Sequence, residues 1–113
     1  VNLLARLVSA EAKGEPYRGQ VAVAAVVLNR VKDPNFPNSI PDVIYQPGAF
    51  SPVANGEIWK EPVSSAVKAA NEALAGNDPS YGALFFFNPA KTTNKYLWSR
   101  PQIIKIGNHI FCR

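Results

Sequence analysis

The chain predicts an α+β fold, with helices first and a small antiparallel sheet after them. Three observations carry this: the helical periods all lie in the first two-thirds, a strand-prone aromatic run follows, and a two-residue hairpin signal sits near the end. Helices in one block and strands in another point to that class. With 113 residues the chain can enclose one core and is too short for two. An apolar fraction of 47% argues against disorder.

The first helix is predicted from about Asn2 to Lys13. Leu4, Leu7, Val8 and Glu11 recur at i, i+3, i+4, i+7 and form one stripe. Gly14 and Pro16 stop it, which places Glu15 off the helix although it is i+4 from Glu11. A second helix runs from about Arg18 to Lys32. Its middle, Val21 to Leu28, is apolar all round, so it reads as a buried central helix whose small alanines let neighbours close in. Asp33-Pro34 ends it.

Residues 34 to 62 contain six of the ten prolines and sustain no period. A long irregular stretch of this kind is usually functional or mobile. Within it, Gln46 to Pro52 can hold a rigid aromatic and a hydroxyl beside a groove; a plain surface loop is the competing reading. A third helix is predicted from about Pro62 to Ala75, with Val63, Ala66, Val67, Ala70 and Leu74 as its buried stripe. Pro62 suits its first turn and Gly76 its end.

Ala83 to Phe87 is strand-prone and stops at Asn88-Pro89. Three consecutive phenylalanines cannot face one side of a strand, so at least one leaves the helices unless both faces are covered. Gln102 to Ile106 and His109 to Arg113 flank Gly107-Asn108, a hairpin signature.

Composition excludes several functions. The net charge is +4 and its basic residues are scattered, which weakens a nucleic-acid reading but suits an anionic wall polymer. The longest apolar run is too short to span a bilayer. One cysteine and one histidine make a structural zinc site and an internal disulfide untenable. Gly14 and Gly19 lack the ending of a phosphate loop. No Ser-His-Asp spacing is evident. The chain opens inside an apparent helix with no leader, which suggests a single domain, residues 1–113, cut from a longer protein.

Of the eight acids, only Glu11 lies on an apolar stripe. Burial disfavours the charged carboxylate, so Glu11 should hold its proton to a higher pH than a free glutamate, as a general acid must. The competing reading is a partly exposed acid satisfied by a neighbouring donor. Tyr81, Tyr96, Trp98 and Trp59 sit in polar, turn-rich contexts where exposed rings suit sugars, although most aromatics fill cores.

The run from Glu11 to Arg30, beginning Glu11-Ala12-Lys13-Gly14-Glu15-Pro16-Tyr17-Arg18-Gly19-Gln20, resembles the opening motif of cell-wall hydrolases of the SleB/CwlJ type. Gln46 to Pro52, Phe86-Phe87-Asn88-Pro89, Trp98 to Pro101 and Ile106 to Phe111 fit as well, so the resemblance covers nearly the whole chain. It implies a lysozyme-like fold, as in lytic transglycosylases and resuscitation-promoting factors. It implies an exported enzyme cleaving spore cortex peptidoglycan between N-acetylmuramic acid and N-acetylglucosamine during germination, leaving 1,6-anhydro-muramic ends. Its place would be the cortex, the outer face of the inner membrane, or the coat region. The acid matching Glu11 would be catalytic. By position, Gln20, Phe50, Ser51, Tyr81, Asn88, Trp98 and His109 are the groove candidates. No cofactor or metal is implied. The partner is the glycan strand, a monomer is expected, and any regulatory protein partner is left unidentified. The resemblance also implies an upstream peptidoglycan-binding module in full-length relatives, which is expected to lie outside these 113 residues.

A single acid suits that chemistry, because the sugar's own 6-hydroxyl is the nucleophile and no second carboxylate must activate water. The alternatives are a hydrolytic muramidase or glucosaminidase, with Glu15 the nearest second acid, and a non-catalytic wall-binding module.

Overall fold

The computed structural model describes residues 2–113. Helix α1 (Asn2–Ala12) buries Leu4, Leu7 and Val8 completely. Its outer face is tied down as well: the Arg6 guanidinium donates to the carbonyls of Trp59 and Lys60, both at 2.9 Å, and Ser9 Oγ accepts the Val63 N–H at 3.1 Å. Helix α2 (Tyr17–Lys32) follows a sharp turn at Glu15-Pro16. Every residue from Val21 to Val27 is at most 2% exposed, so α2 is the central helix its all-apolar middle predicts.

Helix α2 packs against α1 and against a later helix, α5 (Ser64–Leu74). The buried face of α5 is Ala66, Ala69, Ala70 and Ala73. Ala66 and Ala70 are buried as predicted, but the other three members of the predicted stripe are not: Val63, Val67 and Leu74 are 38%, 36% and 42% exposed. The face that α5 turns to the core is made of alanine alone, and its bulkier side chains lie on the outer flanks. Pro62 lies before the helix, Val63 is its N-cap, and Gly76 follows its end with φ +109°.

The proline-rich stretch is more ordered than its lack of period suggests. It holds two five-residue helices, α3 (Ile40–Ile44) and α4 (Ser51–Asn55), and a 3-10 turn at Glu57–Trp59. Each is too short to display a period, but their caps are readable. Ser39 Oγ accepts the Asp42 N–H at 3.2 Å, and Gly56 ends α4 in the left-handed region. Val43, Ile44 and Ile58 anchor this segment at 0% exposure.

The sheet has three antiparallel strands in the order β1-β3-β2: β1 (Phe85–Phe87), β2 (Gln102–Ile106) and β3 (His109–Cys112). Phe86 pairs with Phe111, and Ile106 with His109 across the predicted turn. Gly107 has φ +57° and Asn108 does not share it, the pattern of a II′ hairpin. The three phenylalanines alternate as a strand requires. Phe86 faces the helices, against Phe50 and Phe111, while Phe85 meets Tyr96 and Phe87 meets Trp98 on the other face. That second face is covered by a helix the sequence reading missed, α6 (Lys95–Ser99), capped by Asn94 Oδ1 on the N–H groups of Tyr96 and Leu97. Among the described residues no helix is long and apolar enough to cross a membrane.

The tight α2–α5 contact yields a prediction. Ala69→Leu should lower stability by about 1–3 kcal/mol through overpacking, whereas Leu74→Ala should cost about 1 kcal/mol or less, because that side chain is already in water. Urea unfolding curves of the two variants check this contrast.

Candidate active site

Glu11 sits one turn beyond Leu7 and Val8, where the buried stripe of α1 reaches the molecular surface. Two cavities meet at this point. One, of about 350 Å³, is walled by Arg30, Phe36, Phe50 and Phe85; the other, of about 400 Å³, by Glu15, Ser51, Asn88, Lys91 and His109. Glu11 and Phe86 line both, so the carboxyl stands at the junction of one continuous groove. No described residue makes a hydrogen bond or ion pair to it. Burial alone raises its pKa from 4.5 to about 6.

Glu15 is the other carboxylate in the groove, and its environment is the opposite. Oε1 accepts the Asn108 backbone N–H at 2.8 Å and Oε2 accepts the Asn108 side-chain amide at 3.1 Å. Burial pushes its pKa upward. The two hydrogen bonds from Asn108, aided by His109 and Lys91, outweigh that and hold the carboxyl below its usual range. Glu15 thereby pins the tip of the β2–β3 hairpin against the start of α2. The fit leaves no room at Gly107, where a Cβ would overlap the Glu15 carboxylate and lie 2.7 Å from Pro16 Cδ. The pinned strand presents His109, which is 7% exposed and has no partner for Nδ1. Burial, with Lys91 adding to it and Glu15 opposing, keeps the imidazole below its ordinary pKa and so neutral at pH 7.

The structure gathers five of the eight sequence-nominated residues: Glu11, Phe50, Ser51, Asn88 and His109 all line the groove. The other three do not. Gln20 is buried under it, its amide donating to the Glu15 carbonyl at 3.1 Å and accepting from Ser65 Oγ at 3.0 Å, so its polar atoms are used internally. Tyr81, 64% exposed, belongs to a separate cavity beside Tyr17 and Arg18. Trp98 packs on Phe87 and donates its indole N–H to the Thr92 carbonyl at 3.2 Å, bracing the wall without lining it. Arg30 and Lys91 were not nominated. Arg30 had one visible signal, a charge at the end of an otherwise buried helix; Lys91 had none, since only tertiary folding brings residues 88–92 to Glu11. Among the described residues no group of three or more His, Cys, Asp or Glu can hold a metal ion.

The raised pKa of Glu11 is also a stability statement. Between pH 4.5 and about 6 the folded chain keeps a proton that the unfolded chain has lost. Stability therefore falls as pH rises through that window, and above it the buried charge costs about 2 kcal/mol. Glu11→Gln should stabilise the domain by up to that amount at pH 7.5 and leave it unchanged at pH 4, as guanidinium unfolding at the two pH values would reveal. Gly107→Ala should do the reverse, losing about 1–3 kcal/mol from the strained φ and the displaced Glu15.

The sequence profile of the cell wall hydrolase family matches residues 14–112. The chain is 52% identical to the spore cortex-lytic enzyme of Bacillus cereus over all of its length and 53% identical to that of Bacillus subtilis over 99% of it. It spans less than half of those relatives, 44% and 37% of their lengths. It is 30% identical to the cell wall hydrolase CwlJ of Bacillus subtilis, covering 82% of that protein. Among solved structures it is similar to the catalytic domain of the germination-specific lytic transglycosylase SleB from Bacillus anthracis. That match has a TM-score of 0.95 and 52% identity, and it covers 99% of this chain and 92% of the other. The α+β architecture read from the sequence is therefore that of the SleB catalytic domain, and the chain belongs to the cell wall hydrolase family.

Proposed function

We propose that this domain is a lytic transglycosylase that cleaves spore cortex peptidoglycan during germination, with Glu11 as its acid and base. The supporting observation is one protonatable carboxyl, raised to about 6 by burial, at the junction of two cavities large enough to hold sugars on either side. The relatives named spore cortex-lytic enzyme and the structure described as a germination-specific lytic transglycosylase favour the same reading.

In this mechanism a glycan strand lies along the groove with the bond between muramic acid and glucosamine over Glu11. The protonated carboxyl gives its hydrogen to the bridging oxygen, and the C1–O bond breaks. Glu11, now a carboxylate, takes the proton of the muramic 6-hydroxyl as that oxygen bonds to C1, closing the 1,6-anhydro ring and restoring the acid. At pH 7 a pKa near 6 keeps about thirtyfold more of the acid form than a pKa of 4.5 would. Phe50 and Phe86 give the groove an apolar wall, while Ser51, Asn88 and His109 offer hydrogen bonds to hydroxyl and acetamido groups. On this reading the enzyme acts outside the cytoplasm, on cortex glycan.

A hydrolytic reading has one observation in its favour, since Glu15 is ionised and lines the same cavity. It is the weaker reading because both Glu15 oxygens already accept hydrogen bonds from Asn108 and are poorly placed to take a proton from water.

Mass spectrometry of digested cortex fragments separates the two: anhydro-muramic ends support transglycosylation, and reducing muramic or glucosamine ends support hydrolysis. Glu11→Gln should lower the rate by about 100-fold to 10,000-fold. Near-native turnover by that variant on soluble cortex glycan would refute the assignment. The profile of kcat/KM should fall about tenfold per pH unit above about pH 6, as the free enzyme loses the Glu11 proton.

A further inference from the structure

Arg30 is a charged residue that the mechanism above leaves without a role. It occupies the last turn of α2 and is 7% exposed. Its guanidinium carbon lies over three rings: Phe36 at 5.1 Å, Phe50 at 5.2 Å and Phe85 at 5.2 Å. Nε donates to the Leu84 carbonyl at 2.7 Å. The remaining donors, on Nη1 and Nη2, have no protein acceptor among the described residues, and no carboxylate there comes within ion-pair distance.

Buried cations are normally paired, because leaving one without an acceptor is expensive. The rings and the Leu84 carbonyl account for one edge of the fork. They do not account for the other. Nor is that edge sealed: the single fully buried side-chain nitrogen or oxygen lacking a partner, among the described residues, is His109 Nδ1. The Nη atoms therefore touch solvent, and Arg30 lines the 350 Å³ cavity beside Glu11. An open guanidinium fork in an aromatic cage is a receptor for a planar oxygen acceptor, a carboxylate above all.

Given the function proposed above, the substrate offers one such group that tells its two sugars apart. Glucosamine and muramic acid share their hydroxyls and acetamido groups, but muramic acid alone carries a lactyl ether at O3, with its carboxyl free or in amide linkage. We propose that Arg30 binds the lactyl acyl oxygen and so seats muramic acid, rather than glucosamine, in the Phe36–Phe50–Phe85 half of the groove. Arg30 is thus a residue that determines which bond arrives over Glu11. It is set by chain geometry to read a substituent, and it takes no part in the proton transfers.

Titration calorimetry on the non-cleaving Glu11→Gln domain tests this with three ligands. They are a glucosamine–muramic acid tetrasaccharide with free lactyl carboxylates, the same tetrasaccharide with those carboxyls as methylamides, and chitotetraose. The carboxylate form should bind about tenfold or more tighter than chitotetraose. An equal gain for the methylamide would identify the carbonyl oxygen as sufficient; a gain for the free acid alone would identify the anion. Adding Arg30→Lys, which keeps the charge and loses the fork, should reduce the muramyl ligands toward chitotetraose and leave chitotetraose within about twofold. Equal affinity for all three ligands in the parent overturns the proposal without any Arg30 variant, even if Arg30→Lys fails to fold. A uniform loss across the three ligands in Arg30→Lys overturns it too, since Arg30 would then only brace the wall. Binding of no glycan at all would remove the functional reading itself, an outcome distinct from equal binding.

Discussion

The desolvation of a single carboxyl governs this molecule. Glu11 continues the stripe that Leu4, Leu7 and Val8 bury completely, and the helix gives it nowhere else to go. No donor or cation compensates, so the group relieves the cost by holding its proton to about pH 6. The same cost that weakens the fold at neutral pH is what makes the side chain an acid there. Such an exchange of stability for chemistry is expected where a local rule of folding is broken at a working site.

The rest of the fold serves to keep that carboxyl at the edge of burial. Helix α2 supplies a buried apolar wall behind α1, and the alanine face of α5 packs against it. The sheet then closes the opposite side, with Phe86 reaching toward the helices between the two cavities. The hairpin that carries His109 has its tip bound by Glu15, so the two acids of the groove divide labour by environment. One is desolvated and holds its proton to about pH 6; the other is hydrogen-bonded, ionised and structural.

Much of this was legible in the chain. The all-apolar run from Val21 to Leu28 identified the central helix, Gly107-Asn108 identified the hairpin, and Glu11 stood out because its helical neighbours are aliphatic. What failed did so for physical reasons. The stripe of α5 was right at Ala66 and Ala70 but centred too far toward Val67 and Leu74, whereas the buried face is Ala66, Ala69, Ala70 and Ala73. Helices α3, α4 and α6 have five residues each, too few for any period, and went unread. Gln20 and Tyr81 were nominated from linear position, which does not reveal that one turns inward to Ser65 and the other to a different face. Arg30 was not singled out in the sequence, and only the folded groove shows its open edge.

The most direct measurement is the titration of Glu11 itself by carboxyl-selective carbon NMR, with Glu11→Gln assigning the resonance. A midpoint near pH 6, well above the other glutamates, is the predicted result. A midpoint at or below 4.5 would mean the carboxyl is solvated or paired in solution, and the chemistry ascribed to it at neutral pH would have no physical basis.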